Sequence, residues 1–317
     1  MYRKTRRLMT VMLSLCLTLL LGACSNDVAK DNQTDISTST RIYKDSEGQE
    51  VEIPANPKRI VLQGNSIGDL LALGIQPIGI DRRVIQDSVY LNKEQTPAKD
   101  IGFPTNLETV LSMDPDLIML SWLMGNEYEE ASKISPVVAF DGMLPLKERF
   151  PVIADIVGKK AEGEKLLEDY NRKAEAMWHD LRANGKMADG ETAVILQYFW
   201  NKTMYLRKTD GLAELIYQPS GFSMDEKVKI LQPNSGPYIE VSEEVMNDWI
   251  IGDRLFVLYS SNKDSEESFK QLLNTNLWKS LPAVKNGKVH FIEDKWNYND
   301  MSTSDMLLDE FPNIIGR

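Results

Sequence analysis

A helical hydrophobic pattern near the middle of the chain runs from Lys160 to Asn184, KAEGEKLLEDYNRKAEAMWHDLRAN. Leu167, Tyr170, Ala174, Met177 and Leu181 recur at steps of three and four, which puts them on one face of a helix. Asn184-Gly185 predicts the stop. Glu168 with Arg172, and Asp169 with Lys173, set an acid four residues ahead of a base and predict two ion pairs along the polar face. Gly163 weakens the first turn. Roughly 24 helical residues extend about 36 Å, the width of a whole lobe.

Short apolar runs flank this helix on both sides. Arg41 to Ile53 alternates as a hairpin with Gly48 in the turn. Ile60-Val61-Leu62 predicts a buried strand, Ser66 to Gly74 a short helix, Ile78 to Ile80 a strand, Asn106 to Leu111 a helix and Asp116 to Leu120 a strand. The second half continues with a strand at Thr192 to Gln197 and helices at Leu212 to Tyr217 and at Ser242 to Trp249, the latter with Ser242 as N-cap. Strands at Arg254 to Leu258 and Val289 to Ile292 and a closing helix at Ser304 to Phe311 complete it. Strands alternating with helices imply α/β architecture with mainly parallel sheets covered on both faces. The expected fold is two such lobes joined by a single long helix, with a cleft between the lobes. The expected segments are 1–23 a leader, 24–40 a tether, 41–158 the N-terminal lobe, 159–185 the linking helix and 186–317 the C-terminal lobe.

Composition and charge narrow the function. The 317 residues suffice for two domains of ordinary size. Losing the leader, which holds Arg3, Lys4, Arg6 and Arg7 and no acid, takes the formal net charge from −11 to −15. So acidic a chain does not suit nucleic acid, whose phosphates need a basic face. MYRKTRR followed by the apolar LMTVMLSLCLTLLLGA has the form of a targeting segment. Its end, Leu21-Gly22-Ala23-Cys24, resembles a bacterial lipobox, which implies cleavage and lipidation at Cys24. Cys16 would leave with the leader. The one remaining cysteine would carry lipid, so no disulfide, thiol nucleophile or cysteine metal site is expected. The polar stretch Ser25 to Thr40 then tethers the domain to the membrane, outside the cytoplasm.

No G-x-S-x-G elbow, Walker A loop or H-E-x-x-H is present, so an enzyme is not expected. A secreted hydrolase is the rival reading, and an acidic adhesin or structural lipoprotein another. The two histidines, His179 and His290, share no ligand spacing and are expected to be structural.

Several segments together resemble the substrate-binding proteins of bacterial iron-siderophore and cobalamin ABC importers. They are Val51 to Val61 (VEIPANPKRIV), Asp69 to Gly79 (DLLALGIQPIG), Asn106-Leu107-Glu108 with Asp114 to Ile118 (DPDLI), and Leu277 to Val289 (LWKSLPAVKNGKV), in the family's order. The resemblance implies two lobes on one long helix with little hinge motion, and a shallow cleft for a ferric chelate. It implies docking on a permease and its ATPase through one acid on each lobe, here Glu108 and Glu244. A siderophore saturates its iron, so no protein metal ligand or cofactor is expected, and the receptor is expected to be a monomer. A cobalamin or haem receptor of the same fold stays open.

A cleft for such a ligand calls for Arg or Lys and for flat aromatic surface. Residues of these types follow strand ends, where α/β sheets place ligands. They are Arg82 and Arg83 after Ile80, Trp122 after Leu120, Trp200, Tyr205 and Arg207 after Gln197, and Trp296 and Tyr298 after Ile292. The pairing of aromatic residues with arginine resembles the hydroxamate and citrate-hydroxamate binders of the family. Trp178, Trp249 and Trp278 lie on helical faces and are expected in the core.

Overall fold

The computed structural model describes residues 39–85, 87–89, 97–199, 201–232, 238–260 and 263–316. The expected leader, Cys24 and the tether up to residue 38 lie outside the described residues, and so does Trp200. Thr40–Lys44 (β1) and Glu50–Pro54 (β2) form the antiparallel hairpin that the alternation predicts.

The N-terminal sheet holds Ile60–Gln63 (β3), Gly79–Ile80 (β4), Lys99–Asp100 (β5), Leu117–Leu120 (β6) and Val137–Ala139 (β7). All are parallel, in the order β5-β4-β3-β6-β7. β3, β6 and β7 are buried along their whole length, as strands covered on both faces must be. The C-terminal sheet holds Thr192–Tyr198 (β8), Met204–Arg207 (β9), Ser223–Met224 (β10), Tyr238–Val241 (β11), Arg254–Tyr259 (β12) and Val289–Glu293 (β13). Its order is β11-β9-β8-β12-β13, with β10 beside the start of β8. β8, β12 and β13 run parallel, and β9 lies antiparallel between β8 and β11. In each sheet the chain starts near the centre, builds one flank and then crosses to the other. That change of direction opens a crevice at the C-terminal strand ends, between β3 and β6 and between β8 and β12.

The linking helix spans Lys160–Ala183 and buries Tyr170, Ala174, Met177, Trp178 and Leu181. Leu167 is half-buried against the same core. Gly163 is buried too, for a reason its helix propensity hides: a Cβ there would lie 2.3 Å from the Cβ of Ala154 on the preceding helix, Leu146–Ile156. The expected ion pairs are not the ones formed. Arg172 bonds Asp169, one turn back, and Lys173 reaches Asp305 at 3.0 Å and Asp309 at 3.1 Å on the C-terminal helix. A second difference concerns Ser242 to Trp249. A 3-10 turn, Glu243–Val245, precedes a short helix, Met246–Trp249, and Ser242 makes no side-chain cap bond. Val245, at φ −100° and ψ 5°, breaks the α-helical pitch between them.

The C-terminal helix, Met301–Gly316, is longer than its pattern predicts, because Asp300 caps it by accepting from Thr303 N at 2.8 Å and Thr303 Oγ1 at 3.0 Å. It packs against both the linking helix and Ile67–Ala72 of the N-terminal lobe. Trp178, fully buried, meets Phe222 and Phe311 edge-on at 5.5 and 5.2 Å. One buried cluster therefore runs from Ile60 and Leu62 through Trp178 to Phe256, Leu258 and Phe311. Thr40–Arg317 accordingly forms one compact unit.

Candidate functional site

The two crevices face a common cleft of about 530 Å³. Its main wall is the β8–β9 hairpin, and period-two geometry decides which side chains point in. Gln197, Phe199, Thr203, Tyr205 and Arg207 line the cleft. The alternate positions Leu196, Tyr198, Met204 and Leu206 are buried in the C-terminal core. The turn between the strands is tight. Phe199 N donates to Thr203 O at 2.9 Å, and Lys202 takes the left-handed φ of 67°.

The second wall follows β13. Asp294–Asn297 forms a 3-10 turn, and Asp294, Asn297, Tyr298 and Asn299 line the cleft. Asn297 is held by Leu212 N, which donates to its Oδ1 at 3.0 Å. Gly211 makes that approach possible: it sits at φ 54°, and a Cβ there would fall 2.3 Å from Asn297 O. The N-terminal lobe supplies Asn65, just after β3, and Asp87. The Asp87 backbone amide approaches the phenol of Tyr298 across the cleft.

Arg207 is buried and already engaged. Nη1 donates to Gln197 Oε1 at 3.1 Å, and Nη2 bonds the carboxylate of Asp210, which also lines the cleft. Burial pushes the Asp210 carboxyl up against the opposing pull of Arg207. Asp294 is pushed up by burial and by the nearby Asp87 carboxylate. Burial and the same Asp87 raise the Tyr298 phenol to about 12.

Of the residues expected at the site, the structure brings Tyr205, Arg207 and Tyr298 together in this cleft. The others with described positions do not line it. Arg82 donates from Nη2 to Ala98 O at 2.6 Å. Arg83 lies over the Phe103 ring at 3.8 Å and pairs with the buried Asp81 at 3.7 Å. Trp122 is half-buried beside Gln63, whose Oε1 accepts from its backbone N at 3.5 Å. Trp296 packs half-buried against the main core. The amide and acidic residues Asn65, Asp87, Gln197, Asp210, Asp294 and Asn299 were not among the expected residues. The hairpin alternation would have found Gln197, and the crevice rule would have found Asn65.

Both expected docking acids are exposed. Glu108 stands in the first turn of helix Leu107–Ser112, whose cap is Asn106, accepting from Thr109 N at 2.8 Å. Glu244 lies in the 3-10 turn after β11. β11 runs parallel to β8, being antiparallel to its neighbour β9, so its end shares the cleft edge of the sheet. Helix Leu107–Ser112 likewise follows the C-terminal end of β5. The histidines take structural positions. His290 Nδ1 donates to Ile314 O at 3.0 Å and Nε2 accepts from Arg254 at 2.8 Å; burial and Arg254 lower its pKa to about 4. His179 is exposed.

Beneath the cleft the lobes are joined by polar bonds. Arg149, 1% exposed, donates from Nε to Asp69 Oδ2 at 3.1 Å and from Nη2 to Asn299 O in the opposite lobe. Met301 N donates to Asp69 Oδ1 at 2.8 Å, and Leu146 N donates to Glu214 Oε2 at 2.9 Å.

A family model described as periplasmic binding protein matches residues 60–295. The iron(3+)-hydroxamate-binding protein YxeB of Bacillus subtilis (strain 168) is 27% identical over 296 residues, covering 91% of this chain and 89% of its own. The probable siderophore-binding lipoprotein YfiY of the same organism is 27% identical over 288 residues, 87% of each chain. Among solved structures, the FhuD protein from S. pseudintermedius superposes with a TM-score of 0.74 over 88% of this chain and 98% of that one, at 24% identity, a likeness of fold.

Proposed function

Because the chain belongs to the periplasmic binding protein family, we propose that it is the lipid-anchored receptor of an ABC importer that captures a ferric siderophore outside the cytoplasm and delivers it to the permease. It is a binding protein and not an enzyme. The hydroxamate class, alone or mixed with citrate, is the favoured ligand chemistry. The observation that carries the reading is the cleft itself, an opening of about 530 Å³ between two crevices, walled by Phe199, Tyr205 and Tyr298 among amide side chains. Flat aromatic surface with a few fixed polar groups suits a bulky, partly apolar chelate. The name of YxeB supports the hydroxamate class. Lipid attachment at Cys24 is supported by the Leu-Gly-Ala-Cys sequence and by the naming of YfiY as a lipoprotein. Glu108 and Glu244, at the cleft edge of each lobe, are the proposed contacts to basic pockets of the permease.

The test is a titration of intrinsic tryptophan fluorescence with ferric hydroxamate, citrate-hydroxamate and catecholate siderophores, haem and cobalamin. Saturable quenching by a ferric hydroxamate, and not by its iron-free form, is expected. Quenching by haem or cobalamin alone would replace the ligand, and silence towards the whole panel would refute the receptor reading.

A further inference from the structure

The cleft has the wrong charge for an anion. Among its described lining residues Arg207 is the one cation, and Asp210 and Gln197 already hold it. Two further carboxylates, Asp87 from the N-terminal lobe and Asp294 from the C-terminal lobe, face the same space. They are close enough for Asp87 to act electrostatically on both Asp294 and Tyr298. Three cations near it are committed elsewhere: Lys295 bonds Glu293 at 2.9 Å, and Arg82 and Arg83 are held within the N-terminal lobe. Lys202, in the exposed hairpin turn, lines an adjoining opening and not this cleft. Aromatic faces at Phe199, Tyr205 and Tyr298 add electron-rich surface, which attracts cations.

The charge of a ferric siderophore follows from its chelating groups. Three hydroxamates neutralise Fe³⁺, whereas three catecholates overshoot it by three negative charges. Resting on the siderophore reading above, we propose that this cleft selects by charge: it takes ferric trihydroxamates that carry a positive group beyond the neutral iron centre, and Asp87 and Asp294 receive that group from opposite lobes. These two residues determine specificity and leave the iron's coordination untouched. Anionic chelates, the citrate-hydroxamate type among them, bind more weakly in the same field, which singles out the trihydroxamate from the two chemistries named above. One unit charge a few ångströms from a half-exposed carboxylate changes affinity by about tenfold.

Three probes with one iron centre isolate the effect: a linear ferric trihydroxamate ending in a free ammonium, its N-acetyl derivative and its N-succinyl derivative. With the full chain in mild detergent, affinity should fall in that order, about tenfold at each step, and the spread should narrow as salt rises. Asp87→Asn combined with Asp294→Asn should collapse the spread to within about twofold. Asp87→Lys, at an exposed position, should invert the order. Equal affinities for the three probes, or tightest binding of the succinyl form, would overturn the charge selection while leaving the siderophore reading intact. Failure of all three to bind would overturn the hydroxamate reading, and the charge selection with it.

Discussion

Glu214 occupies an unusual place for a carboxylate. It accepts from Leu146 N, at the start of a helix in the other lobe, and is mostly enclosed. Burial raises its pKa from 4.5 to about 7, against the pull of that amide and of Arg149. An acid whose folded pKa exceeds its unfolded one favours the native state below the unfolded value. That advantage is lost as pH rises through the folded value, because the unfolded chain ionises first. Stability should therefore decline between about pH 4.5 and pH 7 by an amount on the order of 3 kcal/mol from this group alone. Glu214→Gln keeps an acceptor for Leu146 N and removes the ionisation. In urea denaturation the variant should exceed the parent at pH 8 and match it at pH 4. Parallel profiles for the two proteins would show that the carboxyl ionises as freely in the native state as in the unfolded one. At the same scale, Arg207 shows why residue type alone misleads about charge. An arginine in an aromatic cleft invites an anion, yet Asp210 holds its guanidinium.

Among the elements, the linking helix was the most legible, because a stripe of five residues at steps of three and four is sustained over several turns. Its ion pairs were not legible, since Lys173 has partners on a helix some 130 residues later that the local spacing cannot reveal. Of the cleft-wall hairpin only the first strand was legible; the return strand, Met204–Arg207, reads only as a stretch after a strand end, and which side of the alternation faces the core was not legible either. Leu196, Tyr198, Met204 and Leu206 decide that only once the second core exists. Asp87 and Asp294 are types that any surface displays, so nothing in the sequence distinguished them. Gly163 belongs here as well. In an isolated helix, alanine at this position would add about 1 kcal/mol of stability. Against Ala154 the new methyl has no room, and overpacking of that kind costs about 1–3 kcal/mol. Gly163→Ala should therefore lower the denaturation midpoint, and adding Ala154→Gly should restore part of the loss. A stabilised single variant would mean that the two helices separate at little cost.

At the scale of the whole molecule, the two lobes act as one body. Arg149 and Asp69 tie the N-terminal lobe to Asn299 and Met301, and a single core continues through Trp178. The spacing between Glu108 and Glu244 is then a property of the rigid unit and does not depend on a flexible hinge. Two exposed carboxylates at a fixed separation, each at the cleft edge of its sheet, give a partner with two basic pockets a unique orientation. Such pairs contribute more to register and encounter than to raw affinity. The proposed docking role therefore predicts a dissociation of functions. Glu108→Ala with Glu244→Ala should abolish uptake of iron-55 from the cognate ferric siderophore by cells carrying the importer, and should leave the fluorescence titration of the isolated receptor unchanged. Each single variant should retain partial uptake, because one contact still biases the encounter. A parallel fall in ligand affinity would place these acids in the binding cleft, and undiminished uptake by the double variant would remove them from the docking face. The rigid spacing adds a further condition: Glu244→Asp, which shortens the reach by one methylene, should impair uptake less than Glu244→Ala and more than the parent, since the charge remains but its register has shifted.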